Sequence, residues 1–580
     1  MPNASRVPHI NFETVATRAT SAALLGLAAY HVLLTASTVL AFGLRYPFMD
    51  QFRLNLRYLT TPFPQNVLKL ENGHRPVLPG VVRLIELNWL GGTQVLQALT
   101  AWFAAAFIAA MLLLAIKRDL RRSSVLLASG ACVVCTMLAW NANARMFIHA
   151  YEAVHVFYVI FFVVIAVHFA VRDPLKADLK SWIFSIAACI AATFSFGPGI
   201  ASFAAVMVVA VLRRHRPGIL LFISLSAFAT FLLYYFALPG AESVQGAISG
   251  FSFRATVFFA IARVGAVFAE LVRLIVPDLG VQAIVAALAG AVGIALFVPS
   301  LVRQWHRNEP FVDTELFGAA LFIFGLVTNT LIATIRTSYL LEHPDQLFAD
   351  RYLFWSCVTW LGLIIYGLQR LVHASRPKQY AAATAILLLS LSAVPPAIWL
   401  NQWSAEVYRV SELAAIAMQL GIRNDAQVAE ISDGEPAITY RALDEMHTRN
   451  LSMFADGTPL RLGDKISIAQ PQLTVLVSVV RVGTGRSTDP TVRTLSGELP
   501  RSLALQERGA ELWFASRDGT LIGRAGLTNT GNQPRNIFRL GIPTLVGFQG
   551  YVVQSGAPEI LLAREKNGIV KELARLEQRK

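Results

Sequence analysis

Residues 94–122 read QVLQALTAWFAAAFIAAMLLLAIKRDLRR, an uncharged run from Gln94 to Ile116 closed by Lys117, Arg118, Arg121 and Arg122. As a helix rising ~1.5 Å per residue, such a run crosses a hydrocarbon layer of about 30 Å. Basic residues at one end of a span orient it, because Lys and Arg collect on the cytoplasmic side. With Lys117–Arg122 inside, the segment before Gln94 lies outside, and the sides of all later segments follow. Upstream, Ser21–Phe42 is a second apolar run. It is too long for a signal-peptide core and no small-residue cleavage site follows it, so it reads as a retained first span. The intervening first loop, residues 43–93, is then outside.

Downstream, Ser124–Ala142 and Val154–Val171 read as spans, the latter ending at Arg172, Lys176 and Lys180. Trp182–Leu212 carries basic residues at both ends, and Phe196-Gly197-Pro198-Gly199 breaks it in the middle. Gly and Pro favour a turn there, so this run predicts two short spans meeting outside. Gly218–Leu238, Val281–Val302, Glu315–Ile335, Tyr352–Leu371 and Ala381–Leu400 bring the total to about eleven transmembrane helices. The segment 255–276 is apolar enough to cross but carries Arg263, Glu270 and Arg273, within an arc of about 80° on a helix. A charge at mid-bilayer costs ~2.5–3.5 kcal/mol on insertion scales. An interfacial helix on the outer face avoids that cost and leaves Arg303 and Arg307 inside.

Composition agrees with a polytopic α-helical membrane protein. Of 580 residues, 55% are hydrophobic and 15% charged, against ~25% charged in soluble domains. Mean hydropathy is +0.53. These values exclude a disordered chain and argue against a soluble enzyme. The net charge of +14 is assigned to span orientation and not to a nucleic-acid partner. Cys132, Cys135, Cys189 and Cys357 all lie in apolar runs, so no disulfide framework is available, and the Cys132–Cys135 pair reads as packing.

The domain organisation is a membrane domain, residues 1–400, followed by a C-terminal, mostly-β domain, residues 401–580, on the outer side. Glu406–Leu420 predicts an amphipathic helix. Leu473–Val482, Glu511–Ser516, Gly519–Thr528, Asn536–Ile542 and Val546–Gln554 predict antiparallel strands, with turn residues between them. A final charged helix is expected at Gly568–Arg579.

Chemistry is expected where polar residues have no topological reason to be. Asp50 stands just beyond the first span, where it acts as a helix N-cap, as a partner of Arg53, or as a reactive carboxylate. Glu71, His74 and Arg75 form a dense polar group in the same loop, either a brace or a substrate contact. Asp350-Arg351-Tyr352 opens a late span, and an arginine there snorkels to headgroup phosphates or binds a lipid-linked phosphate. His149, Glu152 and His155 fall within an arc of about 120° of one helix, a spacing that fits either a divalent metal or the polar lining of a cavity.

Four of these features resemble the GT-C superfamily, membrane glycosyltransferases that use polyprenyl-phosphate sugar donors. They are Asp50 after the first span, the Glu71-Asn72-Gly73-His74-Arg75 signature, the Arg351-Tyr352 pair, and the outer C-terminal domain. Where that family commonly carries two neighbouring acids in the first loop, this chain has Asp50 followed by Gln51. The resemblance implies a GT-C-like fold in a bacterial inner membrane, with the N-terminus cytoplasmic and the C-terminal domain periplasmic. It implies an inverting transfer of a sugar to an envelope glycan or lipid acceptor, with Asp50 as general base. Arg351 would stabilise the departing phosphate with help from Arg75 or Arg263, and Glu71, His74 and Tyr352 would line the substrate. A divalent metal is compatible with this chemistry. A transporter or flippase of a lipid-linked sugar, and a non-enzymatic scaffold in envelope assembly, are the alternatives. The absence of an internal repeat counts against common secondary transporters.

Overall fold

A computed structural model describes residues 12–70, 73–140, 144–171, 179–238, 252–273, 275–423, 425–455, 461–466, 476–479, 481–483, 492–500, 511–528, 545–553, 558–564 and 570–578. The chain divides into two compact units. The first comprises residues 1–41, 63–82 and 97–401, and the second 42–62, 83–96 and 402–580. Each is described by itself.

The principal helices are α1 (Phe12–Phe42), α2 (Gln51–Thr60), α3 (Val77–Trp89), α4 (Val95–Leu120), α5 (Ser124–Leu138), α6 (Ala150–Ala170), α7 (Leu179–Thr193), α8 (Ser202–Leu212) and α9 (Pro217–Leu232). They continue as α10 (Phe253–Val264), α11 (Ala266–Arg273), α12 (Leu279–His306), α13 (Asp313–Glu342), α14 (Asp350–Arg370), α15 (Arg376–Ser392), α16 (Val394–Gln419), α17 (Asp425–Ile431) and α18 (Pro436–Thr448). Among the described residues, eight helices are long and apolar enough to cross a membrane. They begin at Glu13, Val95, Ala150, Pro217, Leu279, Asp313, Asp350 and Arg376. These correspond to eight of the eleven expected crossings. The other three fall on Ser124–Leu138, Leu179–Thr193 and Gly197–Leu212, which are apolar but only 10–17 residues long. A helix of that length reaches less than the ~30 Å of a hydrocarbon core.

Interactions among the helices fix which of their ends lie together. Arg118, near the end of α4, and Arg213, just after α8, both pair with Asp313 at the start of α13. Arg370 at the end of α14 reaches Glu309 at 3.2 Å and Glu315 at 3.6 Å. Ser123, the N-cap of α5, donates to Gln379 of α15 at 2.9 Å. Thr17 of α1 meets Tyr380 at 2.6 Å. These ends carry the basic clusters that set the expected alternation of spans.

The segment 255–276 is not a single interfacial helix. It forms α10 and α11, bent by 67° at Gly265. Here the backbone passes so close to α12 that a Cβ on Gly265 would sit 2.0 Å from the Ala286 carbonyl oxygen, and one on Gly290 2.0 Å from that of Ile261. The break frees the Val264 carbonyl, which accepts from Ser356 Oγ at 2.7 Å and Trp360 Nε1 at 2.9 Å. Arg263 and Glu270 are buried as a result, where a surface helix would have turned them to water.

In the second unit, strands β1 (Leu476–Val479), β2 (Arg481–Gly483), β3 (Val492–Pro500), β4 (Glu511–Ala515), β5 (Leu521–Thr528), β6 (Leu545–Val553), β7 (Ile560–Arg564) and β8 (Val570–Gln578) form one sheet. Its order is β1-β8-β7-β4-β5-β6-β3-β2. Neighbours are antiparallel except β1 and β8, which are parallel. Side chains alternate between faces along each strand. Leu512 and Phe514 join Leu495, Phe548 and Leu561 in one core. Trp513 and Ala515 join Leu521 and Leu562 in the other. Glu511 ties three strands, receiving Arg524 at 3.0 Å, Arg564 at 3.3 Å and Trp513 Nε1 at 3.2 Å. The final charged helix expected at Gly568–Arg579 is instead strand β8. A bulge opposite Leu561 and Leu562 lets both Leu573 and Ala574 be buried, and that burial outweighs the local helix propensity. The strand expected at Asn536–Ile542 lies outside the described residues.

The α10–α12 crossing gives a test. Gly290→Leu has no room against Ile261 and should lower unfolding stability in detergent by about 3 kcal/mol. Gly367→Leu, whose Cβ would meet nothing within 4 Å, should leave the thermal midpoint little changed.

Candidate functional site

Asp50 precedes α2 and belongs to the second unit. Met49 takes a left-handed backbone, φ 53°, and its N–H donates to the Ile431 carbonyl at 2.6 Å. The start of α2 is thereby held beside the turn between α17 and α18. Ser432 Oγ meets Thr439 Oγ1 at 2.9 Å and accepts from Gly434 N–H at 3.3 Å, which fixes that turn. The Asp433 side chain then hydrogen-bonds to that of Asp50. Asp50 is not a side-chain N-cap of α2. It accepts from Arg53 Nη2 at 3.2 Å, and the two side chains keep 32% and 42% of their surface exposed.

Loss of water on the side facing Asp50, the shared hydrogen bond and the repulsion of the Asp50 charge push the Asp433 carboxyl up to about 7. Arg53 opposes this only in part. The two carboxyls titrate as a pair, with Asp433 the group pushed up and Arg53 beside Asp50. Gln51 Nε2 donates to Gln94 Oε1 at 3.0 Å, and Arg83 Nε to Asn55 Oδ1 at 2.8 Å, tying α2 to residues 83–94 of the same unit.

Two polar groups sit in the first unit, at helix ends other than those joined by Asp313. In one, Arg263 and Arg351 flank the same ring, with their guanidinium carbons 4.5 and 5.0 Å from the Tyr352 centroid. Arg263 is buried and donates through Nη1 to Leu347 O at 3.5 Å. Among the described residues no carboxylate pairs with it. Arg351 Nη2 donates to Gln346 Oε1 at 3.2 Å, and its backbone N–H to Asp350 Oδ1 at 2.7 Å. Both guanidinium groups thus sit within cation–π range of one ring.

The other group centres on Phe196, in the turn between α7 and α8. His74 lies 4.2 Å from its ring and His155 stacks on it at 5.3 Å. Tyr151 meets His155 edge-on at 4.2 Å. Burial and the nearby charge of Arg336 push His74 down to about 4, so its imidazole is neutral at pH 7. His149 Nδ1 lies 3.7 Å from Glu152 Oε1. His155 is thus used for ring stacking, while His149 and Glu152 face each other. Among the described residues, no three His, Cys, Asp or Glu side chains converge as metal ligands.

Arg75 has a different environment from Arg263. It is fully buried and donates through Nε to Tyr234 O at 2.6 Å, through Nη2 to Leu238 O at 3.0 Å, and through Nη1 to Leu68 O. That is a brace between the first loop and the segment just after α9. Glu71 lies outside the described residues. The structure therefore brings together Arg263, Arg351 and Tyr352, and separately His74 with His155. Asp433 went unnoticed in the sequence. Its only local signal is a Ser432-Asp433-Gly434 turn, and its partner is remote along the chain.

The Asp433 shift sets a pH dependence. The folded chain keeps a proton up to about pH 7, while the unfolded chain releases it near ~3.9. The folded state binds more protons between these values, so stability falls as pH rises through that window and levels off above it. Asp433→Asn removes the effect. Its unfolding midpoint should gain on the parent chain between pH 4.5 and 7.5, measured by thermal unfolding across pH. Arg75→Ala should destabilise the chain by about 3 kcal/mol, through three orphaned carbonyls.

Comparison with protein-family models, with curated proteins and with solved structures gives no match.

Proposed function

We propose that this chain is a GT-C-type membrane glycosyltransferase that moves a sugar from a polyprenyl-phosphate donor to a hydroxyl of an envelope glycan or lipid. The observation that carries the reading is the Asp50–Asp433 carboxyl pair with Arg53 beside it. A carboxylate beside an arginine and hydrogen-bonded to a second carboxyl is suited to accept a proton from an alcohol. In this reading the second acid of the family pattern comes from position 433 and not from position 51.

In the transfer step the acceptor O–H proton passes to Asp50 as the oxygen bonds to the anomeric carbon. The bond from that carbon to the phosphate oxygen breaks, and its electron pair leaves with polyprenyl phosphate. The leaving group is a stabilised anion and needs cationic stabilisation more than an acid. Cationic groups of that kind stand in the first unit, where Arg263 and Arg351 lie by the Tyr352 ring. Attack opposite the phosphate inverts the anomeric centre. In this reading the protein sits in a bacterial inner membrane, with the C-terminal domain periplasmic.

With purified protein, a polyprenyl-phosphate hexose and a panel of envelope acceptors, Asp50→Asn should lower turnover by ~10²–10⁴-fold while the chain stays folded. Asp433→Asn retains a hydrogen-bond donor and should stay within about tenfold of the parent rate. Equal activity of Asp50→Asn and parent, or no transfer with any matched donor and acceptor, overturns the proposal.

One observation favours translocation of a lipid-linked sugar as a second reading. His31 is buried well inside α1, with Nε2 2.9 Å from Ser390 O. Thr136 and Cys132 lie against Ser390 Oγ at 3.2 and 3.4 Å. Ionisable groups at such depth mark substrate or proton paths. Loss of lipid translocation in His31→Ala vesicles, with Asp50→Asn unaffected, would select that reading.

A further inference from the structure

Helix α4 shows three faces. Gln97, Ala101, Ala104, Ile108, Leu112 and Ile116 form a buried stripe. Leu99, Phe103 and Leu114 point outward and are highly exposed. Between these faces Trp102, Ala105, Ala106 and Ala109 recur at the i, i+3, i+4, i+7 spacing of one helix stripe, and all four line a cavity of about 160 Å³. The three alanines leave the space that larger side chains would fill. The opposite wall is Val32 and Thr35 of α1, and the floor is made by Cys135, Leu138, Phe147 and Phe157. The cavity lies wholly within the first unit. On α4 it spans from about 10 Å past the Val95 end to about 15 Å short of Asp119, counted at the helical rise. That places it at the depth of the hydrocarbon core.

Its lining decides the occupant. The Thr35 hydroxyl donates to Ala139 O at 2.8 Å and so points its proton into the protein. Apart from that hydroxyl and the Cys135 thiol, the named lining side chains offer only the indole N–H of Trp102 and hydrocarbon. A cavity water needs two to four polar partners, and apolar cavities of about 150 Å³ stay dry and admit small hydrocarbons. The mouth is reachable from outside, because Val32 is 38% exposed and Ala106 is exposed as well. Beside it stand Leu33 and Phe103, exposed apolar side chains on helices long enough to cross a membrane. At that depth the surrounding medium is lipid chains, and a void open to them fills from them.

We propose that this cavity between α1 and α4 is an intramembrane binding site for the hydrocarbon chain of a bilayer phospholipid. The inserted chain replaces contacts that the alanine stripe leaves unmade between two spans. The inference does not depend on the transfer reaction and concerns a different part of the first unit from Arg263 and Tyr352.

The experiment uses the full chain in nanodiscs of phosphatidylcholine with a diazirine at mid-chain, irradiated and mapped by mass spectrometry. Adducts are expected on Trp102 and on the peptide containing Cys135, besides those on the outward residues Leu99 and Phe103. Ala106→Trp and, as a gentler filling, Ala109→Leu should each reduce the cavity adducts by about tenfold, the loss expected for about two displaced methylenes. The outward adducts should not change. Cys135 is half-buried whereas the other three cysteines are buried, so it also reports without any substitution. Its alkylation by an apolar maleimide should slow severalfold when lipid is added back to delipidated protein. Adducts confined to the outward residues, cavity adducts indifferent to both fillings, or a Cys135 rate indifferent to lipid would each overturn the proposal.

Discussion

The carbonyl of Val264 is the point on which the polar end of the first unit depends. A helix broken inside an apolar unit exposes backbone groups that hydrocarbon cannot satisfy, and each such group costs several kcal/mol. Here Gly265 lets the break pass against α12, and Ser356 and Trp360 of α14 take up the freed carbonyl. Ser356 Oγ also accepts from the Val267 N–H at 3.2 Å, satisfying the other side of the break. The same α14 contributes Tyr352 one turn earlier. Closing the break therefore fixes α10 against α14 in the register that lays Arg263 over the Tyr352 ring. A packing requirement and a charge arrangement are one piece of geometry.

Charge is distributed along the first unit with the same economy. At the ends joined by Asp313, Glu309 and Glu315, cations meet carboxylates directly. These contacts hold helix ends in line and leave little unneutralised charge between the paired groups. Around Tyr352 the pattern reverses, with two guanidinium groups on one ring. The second unit uses acids in an analogous way. Asp50 faces another acid, Asp433, as well as a base, Arg53.

Much of this was legible in the sequence, and the limits have physical causes. Apolar runs and basic punctuation located the spans because hydrophobic length and charge asymmetry are local properties. The run at residues 124–142 gave a shorter helix because it ends at Leu138 with Ala139 as its cap, which average hydropathy does not register, whereas the break in 182–212 was legible from the Gly and Pro of Phe196–Gly199. Strand β8 reads as a helix locally, and only pairing with β7 and burial of Leu573 and Ala574 make it extended. The bend at Gly265 needed the backbone of α12, and Arg263 could not be told from a surface charge without it. Asp50 stood out because it follows a span, whereas Asp433 is one acid among many in a soluble segment. The pairing of Arg351 with Tyr352 was visible as adjacency, and the addition of Arg263 was a matter of tertiary packing.

Arg75 and Arg263 make the distinction between a brace and a binding group concrete. Both are arginines, both are buried, and both stand in segments that the sequence offers equally as substrate contacts. Arg75 gives all three kinds of guanidinium nitrogen to backbone carbonyls. Those partners also need donors, so removing Arg75 leaves the fold with orphaned acceptors and an anion would have to compete with them. Arg263 has one long bond to Leu347 and a ring that attracts its charge without accepting its protons in the plane of the guanidinium. A buried cation held that way keeps most of its demand for an anion. For that reason the phosphate role is proposed for Arg263 with Arg351 and withheld from Arg75.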